Sequence, residues 1–223
     1  MKRLTYINYR GELSVHRTRG LPHWDIEDGI YFLTWRLADS LPRGVVEELR
    51  RSYDRAVAPL RKVRDARLRQ RLLDEARRGF FRRELDPFLD EGRGERYLER
   101  DGFAECVQNS LLYFNGVRYL IVAWAILGNH VHVVFLRHPD HALDKVVGAW
   151  KSFTSHQLKP QTQLGPDDAF WAAGYWDRLV RTEEELRNTI EYVLENPANA
   201  GMKDWPWVGH HADALAAPWP DVA

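Results

Sequence analysis

Two apolar runs joined by a pair of turn residues limit the possible folds most severely. Residues 117–127 (VRYLIVAWAIL) end at Gly128-Asn129, and residues 130–136 (HVHVVFL) follow. Both runs are rich in β-branched and aromatic side chains, which suit a pleated, half-buried surface. A two-residue Gly-Asn link between such runs reads as a tight antiparallel hairpin. Residues 30–37 (IYFLTWRL) form a further strand, closed by Leu41-Pro42. Helical spacing lies between the strands. Phe103, Val107, Leu111 and Phe114 share one face within residues 99–114, and Leu143, Val146, Val147 and Trp150 do so within residues 141–158. Thr182-Glu183-Glu184-Glu185 is a capping box that opens a helix through Leu186, Ile190 and Val193. Pro197 is expected to stop that helix near Glu195, because the residue before proline is disfavoured in the α region. The pattern itself supports an α+β chain with a central hairpin.

Residues 44–97 have a different texture. Val46, Leu49, Tyr53, Leu60, Val63, Leu68 and Leu72 recur at helical spacing, with breaks expected at Pro59, Gly79 and Pro87. Residues 55–83 hold 11 bases and 3 acids, too few acids to pair most of the arginines along a helix. Such a segment suits an anionic partner, or serves as a charged helical cover packed on the sheet. The expected organisation is one domain over residues 1–223, with 44–97 as a helical Arg-rich insertion. Residues 203–223, rich in Trp, Pro and Ala, are expected to be an irregular C-terminal tail.

Charge narrows the function. The chain has 32 Lys+Arg and 32 Asp+Glu, which argues against a generally basic protein that coats nucleic acid. The neutrality is a cancellation. Residues 1–100 carry 23 bases and 17 acids, and residues 101–223 carry 9 and 15. Any binding to nucleic acid is therefore expected to be local and salt-sensitive. The bases are 26 Arg and 6 Lys, and Arg holds phosphate bidentately. A single cysteine, Cys106, rules out an internal disulfide and any Cys-based zinc site. The first ten residues show no apolar signal-peptide core, and the run 119–127 is too short to span a membrane. A cytoplasmic location with no membrane partner is expected.

Two small patterns carry chemistry. In a strand, His130 and His132 share a face, with Val131 on the other. Two neighbouring imidazoles suit a divalent cation; they also suit a pair of partly buried histidines satisfied by backbone carbonyls. Tyr192 and Asn196 stand four apart, one turn apart on one helix face. An Asn carbonyl can complete a hard-cation site. The same two residues also fit a surface tyrosine and a helix terminator before Pro197.

Taken in order along the chain, the motifs resemble one family. Leu21-Pro22-His23-Trp24 with Tyr31-Phe32 is similar to its opening strand. Arg118-Tyr119 through Gly128-Asn129-His130-Val131-His132 resembles its Arg-Tyr strand and Met-Pro-Asn-His-Val-His block. Trp150-Lys151-Ser152-Phe153-Thr154 resembles its Trp-Lys-Ser-x-Thr helix. Phe170-Trp171, Asp177-Arg178-Leu179, Arg181, Tyr192, Asn196-Pro197 and Ala200-Gly201 resemble its closing block, and Trp205-Pro206-Trp207 its tail. The family is that of the REP-associated tyrosine transposases, within the single-tyrosine HUH transposases. The resemblance covers roughly residues 20–210 and is loosest over 44–97. Gly128 stands where the family has Pro, Leu127 where it has Met, and Asn199 where it has Lys.

The resemblance implies a ferredoxin-like antiparallel sheet with helices on one face, plus the charged helical insertion. It implies Mg²⁺ or Mn²⁺ held by His130, His132 and Asn196. Tyr192 becomes the nucleophile, forming a 5′-phosphotyrosine link and freeing a 3′-hydroxyl. The implied partner is single-stranded DNA with hairpin (palindromic repeat) elements, bound by a monomer or a homodimer. Lys151, Arg178 and Arg181 are candidate phosphate contacts flanking the site. Glu191 and Glu195 are expected either to face solvent or to help hold the ion. Two other readings stay open: a non-cleaving module that binds hairpin DNA or RNA, and a metal-dependent hydrolase that uses water.

Overall fold

A computed structural model describes Ile7, residues 14–18 and residues 21–216. These fall into two compact units, residues 39–95 and the remainder. The chain starts with β1 (Ser14–Thr18) and β2 (Leu21–Asp25), an antiparallel pair, and then β3 (Ile30–Arg36). The 39–95 unit contains α1 (Arg43–Val57), α2 (Ala66–Phe80) and α3 (Asp86–Asp90). A 3₁₀ turn, Tyr97–Glu99, leads back to α4 (Phe103–Tyr113), β4 (Tyr119–Ile126) and β5 (His130–Arg137). Next come α5 (Leu143–Leu158), β6 (Trp176–Leu179), α6 (Glu183–Asn199) and β7 (Val208–His210).

The main sheet has the order β6-β3-β5-β4-β7, and every pairing in it is antiparallel. Without β7 its strands follow the ferredoxin-like order, the fourth beside the first, then the third and second. The hairpin forms as the Gly-Asn link requires. Ile126 faces Val131, and the Leu127 amide donates to the His130 carbonyl at 2.9 Å, leaving Gly128 and Asn129 as the loop. Beside Gly128, the ends of the Glu99 and Arg96 side chains fill the space a Cβ would take, Glu99 Oε1 2.7 Å and Arg96 Nε 2.9 Å from its position.

Register assigns the faces. Thr34 and Ala125 both stand opposite His132, so these three side chains share one face. Leu33, Trp35, Val131, Val133 and Phe135 point to the other, where α4 and α5 bury Val107, Leu111, Val147 and Trp150 against them. Trp150 is the anchor of that core. It lies 6.0 Å from Trp35, 5.2 Å from Phe135 and 4.8 Å from Tyr119 between ring centroids, and its Nε1 donates to Tyr119 Oη at 2.8 Å. Trp150→Ala is expected to destabilise the fold by about 3–5 kcal/mol, read from the denaturation midpoint of the full chain.

The resemblance places helices on one face, and α4 and α5 lie so. The third helix, α6, packs on the opposite face against β4, β5 and β7. It also runs past its expected stop, continuing through Pro197 to Asn199. The preference against α before proline is local, and burial of Val193, Asn196 and Pro197 outweighs it. Gly201 (φ 77°) ends the helix instead, with the Met202 amide donating to the Pro197 carbonyl at 2.8 Å and the Gly201 amide to the Ala198 carbonyl at 3.0 Å. This pair of bonds is a Schellman closure. The expected irregular tail also needs correcting: within it, Val208–His210 add an edge strand to Ala123–Ala125. Gly209 permits this, because a Cβ there would sit 2.6 Å from the Trp124 ring. Residues 217–223 lie outside the described residues.

In the 39–95 unit, Leu49, Tyr53, Val57, Phe80 and Phe81 are buried, with the Tyr53 and Phe80 rings 5.1 Å apart edge to face. Pro59 interrupts the helices as expected. Gly79 does not, because α2 continues through it into a π turn, Phe81–Leu85. The space beside Gly79 is filled by the Arg83 guanidinium, 2.6 Å from where a Cβ would stand. Desolvation pushes the Asp90 carboxyl up to about 6. A folded-state value above the unfolded one means the proton favours the folded form. Stability is then lost as pH rises from about 4 to about 6. Asp90→Asn is expected to remove that slope, raising the melting temperature at pH 7 and leaving it unchanged at pH 4.

Candidate active site

The site is built on the sheet face that α6 covers. Strand alternation brings His130 and His132 together there, both buried, with their Nε2 atoms 3.2 Å apart. The other nitrogen of each ring is engaged. His130 Nδ1 lies 2.7 Å from Asn129 Oδ1, and His132 Nδ1 lies 2.7 Å from Thr34 Oγ1. An amide oxygen only accepts, so His130 Nδ1 carries the proton and its Nε2 presents a lone pair. Thr34 takes its position from the register, one strand across from His132. Phe32 stacks on the His132 ring at 5.5 Å.

Burial keeps both imidazoles neutral. It pushes His130 down to about 3, with the Arg96 charge adding to the effect. It holds His132 well below the usual histidine range, with His130 adding. Neutral imidazole is the form that binds metal.

Helix α6 supplies the rest. The Tyr192 ring lies 5.6 Å from His132 and 5.8 Å from Phe32, edge-on to Phe32. Asn196, one turn on, is 1% exposed, and its Nδ2 donates to Tyr192 Oη at 3.1 Å. Its Oδ1 is buried and accepts no hydrogen bond. Among the described residues no three His, Cys, Asp or Glu gather to hold a metal. The donors available are instead two neutral nitrogens and one orphaned amide oxygen. That set fits a divalent cation of intermediate or hard character.

The sequence-predicted residues divide. His130, His132, Tyr192 and Asn196 are gathered on this one face. Glu191 and Glu195 are exposed. Lys151, expected to contact phosphate, is used by the backbone: its Nζ donates to the Ala172 carbonyl at 2.8 Å and the Gly174 carbonyl at 2.5 Å. Arg178 is a strut between β6 and α6. Its Nη2 donates to Thr189 Oγ1 at 2.7 Å, its Nε lies 3.4 Å from Glu185 Oε1, and its guanidinium stands 5.6 Å from the Phe32 ring centroid. The Arg181 amide donates to Glu185 Oε2 at 2.8 Å, so its backbone belongs to the start of α6. Glu185 thus reaches Arg181 and Arg178, while Thr182 Oγ1 accepts from the Glu185 amide at 3.0 Å. Thr34, Asn129 and Phe32 are the site neighbours that sequence reasoning missed. Asn129 stood next to the histidine pair. Nothing short of the β3–β5 register points to Thr34.

The family described as "Transposase IS200 like" matches residues 111–196, a span from α4 to Asn196 that includes both histidines and Tyr192. Over 112 residues the chain is 26% identical to the "Putative REP-associated tyrosine transposase" of Haemophilus influenzae. That alignment takes in 45% of this chain and 64% of the relative's own length. A solved structure of a REP-associated tyrosine transposase bound to a REP hairpin superposes with a TM-score of 0.49 at 15% identity, over 87% of this chain and 84% of that one. By these matches the chain is similar to the REP-associated tyrosine transposases, and its residues 111–196 match the IS200-like transposase family.

Proposed function

We propose that the chain is a metal-dependent endonuclease and strand transferase that cuts single-stranded DNA near hairpins through a 5′-phosphotyrosine intermediate. One observation carries this reading: two buried neutral imidazoles and an orphaned amide oxygen occupy the same sheet face as a tyrosine hydroxyl. His130, His132 and Asn196 would hold Mg²⁺ or Mn²⁺, which when bound polarises a non-bridging phosphate oxygen and offsets charge in the transition state.

Tyr192 Oη attacks phosphorus. The new bond is Oη–P and the bond broken is P–O3′, with the phenolic proton lost from Oη and a proton gained by the departing 3′-oxygen. Asn196 Nδ2 points its N–H at Oη, where it orients the nucleophile and returns a hydrogen bond to charge developing there. A phosphodiester replaces a phosphodiester, so the step is reversible and also supports joining.

The test is a labelled single strand bearing a hairpin, incubated with Mn²⁺ and resolved under denaturing conditions. A covalent protein–DNA band is expected. Hairpin binding without any band, with Mg²⁺ or Mn²⁺, would instead mark a binding module.

Thr34 and Asn129 fix the orientation of the ligating rings from behind, as outer partners of metal-bound histidines do. Thr34→Val keeps the shape and removes the hydroxyl. It is expected to weaken Mn²⁺ affinity by about 10–100-fold, measured by calorimetric titration, with little change in melting temperature. Among the described residues no helix is long and apolar enough to cross a membrane.

A further inference from the structure

The cleavage chemistry leaves one strongly charged feature of the 39–95 unit unused. Helix α1 closes at Val57, Pro59 turns the chain into a 3₁₀ turn, Leu60–Lys62, and α2 opens at Ala66. Arg55, Arg61, Lys62 and Arg64 are gathered at this end of the helical hairpin, all exposed.

The nearby acids do little to offset them. Asp65 is the N-cap of α2, accepting from the Leu68 amide at 2.8 Å. Asp54 meets Arg61 at 3.5 Å with both side chains about half exposed, a pair that solvent and salt screen. Arg55, Lys62 and Arg64 make no ion pair among the described residues.

The turn beneath them is held in shape. Arg69 Nη1 donates to the Val63 carbonyl at 2.7 Å, and the Lys62 and Val63 amides donate back to Pro59 and Leu60 at 3.2 Å each. Four like charges are therefore displayed on an ordered tip, where they repel one another until an anion arrives.

The chemistry of the tip selects among anions. Leu60 and Val63 are half-buried, and Leu68 nearby is 39% exposed, a single apolar side chain where a membrane-surface segment uses a continuous apolar face. Three of the four bases are Arg, whose planar fork matches phosphate. Duplex DNA offers phosphates at about one negative charge per 1.7 Å of axis, dense enough to engage several fixed cations at once.

We propose that the α1–α2 turn is a second DNA surface, gripping the phosphate backbone of a duplex stem through Arg55, Arg61, Lys62 and Arg64. It rests on the reading of the chain as acting on hairpin-flanked DNA, and adds to it a duplex-holding element within residues 39–95.

The test uses the full-length chain in EDTA, a fluorescent 20-base-pair DNA hairpin and a matched unpaired strand. Arg55, Arg61, Lys62 and Arg64 are changed together to Ser, with Lys145→Ser/Lys203→Ser as the control for lost charge. The fourfold variant is expected to bind the hairpin at least about tenfold more weakly at 0.1 M salt. The slope of log affinity against log salt should become shallower by about 2–4. The control variant should keep the wild-type slope, and in a parallel reaction with Mn²⁺ in place of EDTA, adduct formation on the unpaired strand should persist in both variants. Unchanged hairpin affinity and slope in the fourfold variant, with adduct intact, would overturn the tip and leave the cleavage reading standing. Loss of phosphatidylserine-vesicle binding with hairpin affinity unchanged would overturn it in favour of a membrane. An adduct absent even in wild type, with hairpin binding still sensitive to the four bases, would sink the cleavage reading alone.

Discussion

Tyr192→Phe is expected to abolish the covalent DNA adduct and to lower strand cleavage by at least about 10⁴-fold, as loss of a nucleophile does elsewhere. The substitution is a clean one. The ring keeps its contacts with Phe32 and His132. Only Oη is lost, and with it the hydrogen bond from Asn196 Nδ2. One such bond is worth about 1 kcal/mol, so the melting temperature should move little. Hairpin affinity should persist, because no phosphate contact assigned to the 39–95 unit is touched. The measurement is a denaturing gel with Mn²⁺ beside a binding isotherm on the same DNA. A persistent adduct would place the nucleophile elsewhere, and normal turnover without an adduct would mean that water attacks.

The second large effect is expected at the histidine pair. His132→Ala removes one of two converging Nε2 atoms, and on the proposed reading it would leave Asn196 Oδ1 without the cation it would share with them. Offsetting phosphate charge is worth several kcal/mol in the transition state, so cleavage should fall by about 10²–10³-fold. Mn²⁺ affinity should fall with it, and chelation of the wild-type protein should reproduce the loss. His132→Ala also opens space next to Phe32, so His132→Gln, which refills it, separates lost ligation from lost packing. If cleavage by both variants still responds fully to Mn²⁺, the ion is held by other residues.

Much of the site is legible along the chain because its parts are local. The HxH spacing needs only strand alternation to put two imidazoles on one face, and Tyr192 and Asn196 need only a helical turn. Phosphate contacts are less legible. Lys151 and Arg178 look free for DNA in a linear reading, yet folding commits them to carbonyls, Thr189 and Glu185. A charge has no assigned partner until long-range pairing supplies one. The helix end at Gly201 escapes a linear reading for a related reason. A dipeptide preference at Pro197 is a fraction of what burial of a helix face contributes.

Local sequence sets the elements and their near-neighbour chemistry: the β4–β5 hairpin, the capping of α6, and the pairs His130/His132 and Tyr192/Asn196. These depend on backbone periodicity and on turn residues, which act over a few positions. Long-range packing, by contrast, lays α6 across the histidine face, stands Thr34 behind His132, turns the Asn196 nitrogen to Tyr192 while its oxygen stays unpaired, and adds residues 208–210 to the sheet. Each of these needs residues far apart in the chain to be brought within bonding distance. It is the burial of apolar faces across the whole sheet that does so, and no short stretch of sequence encodes it.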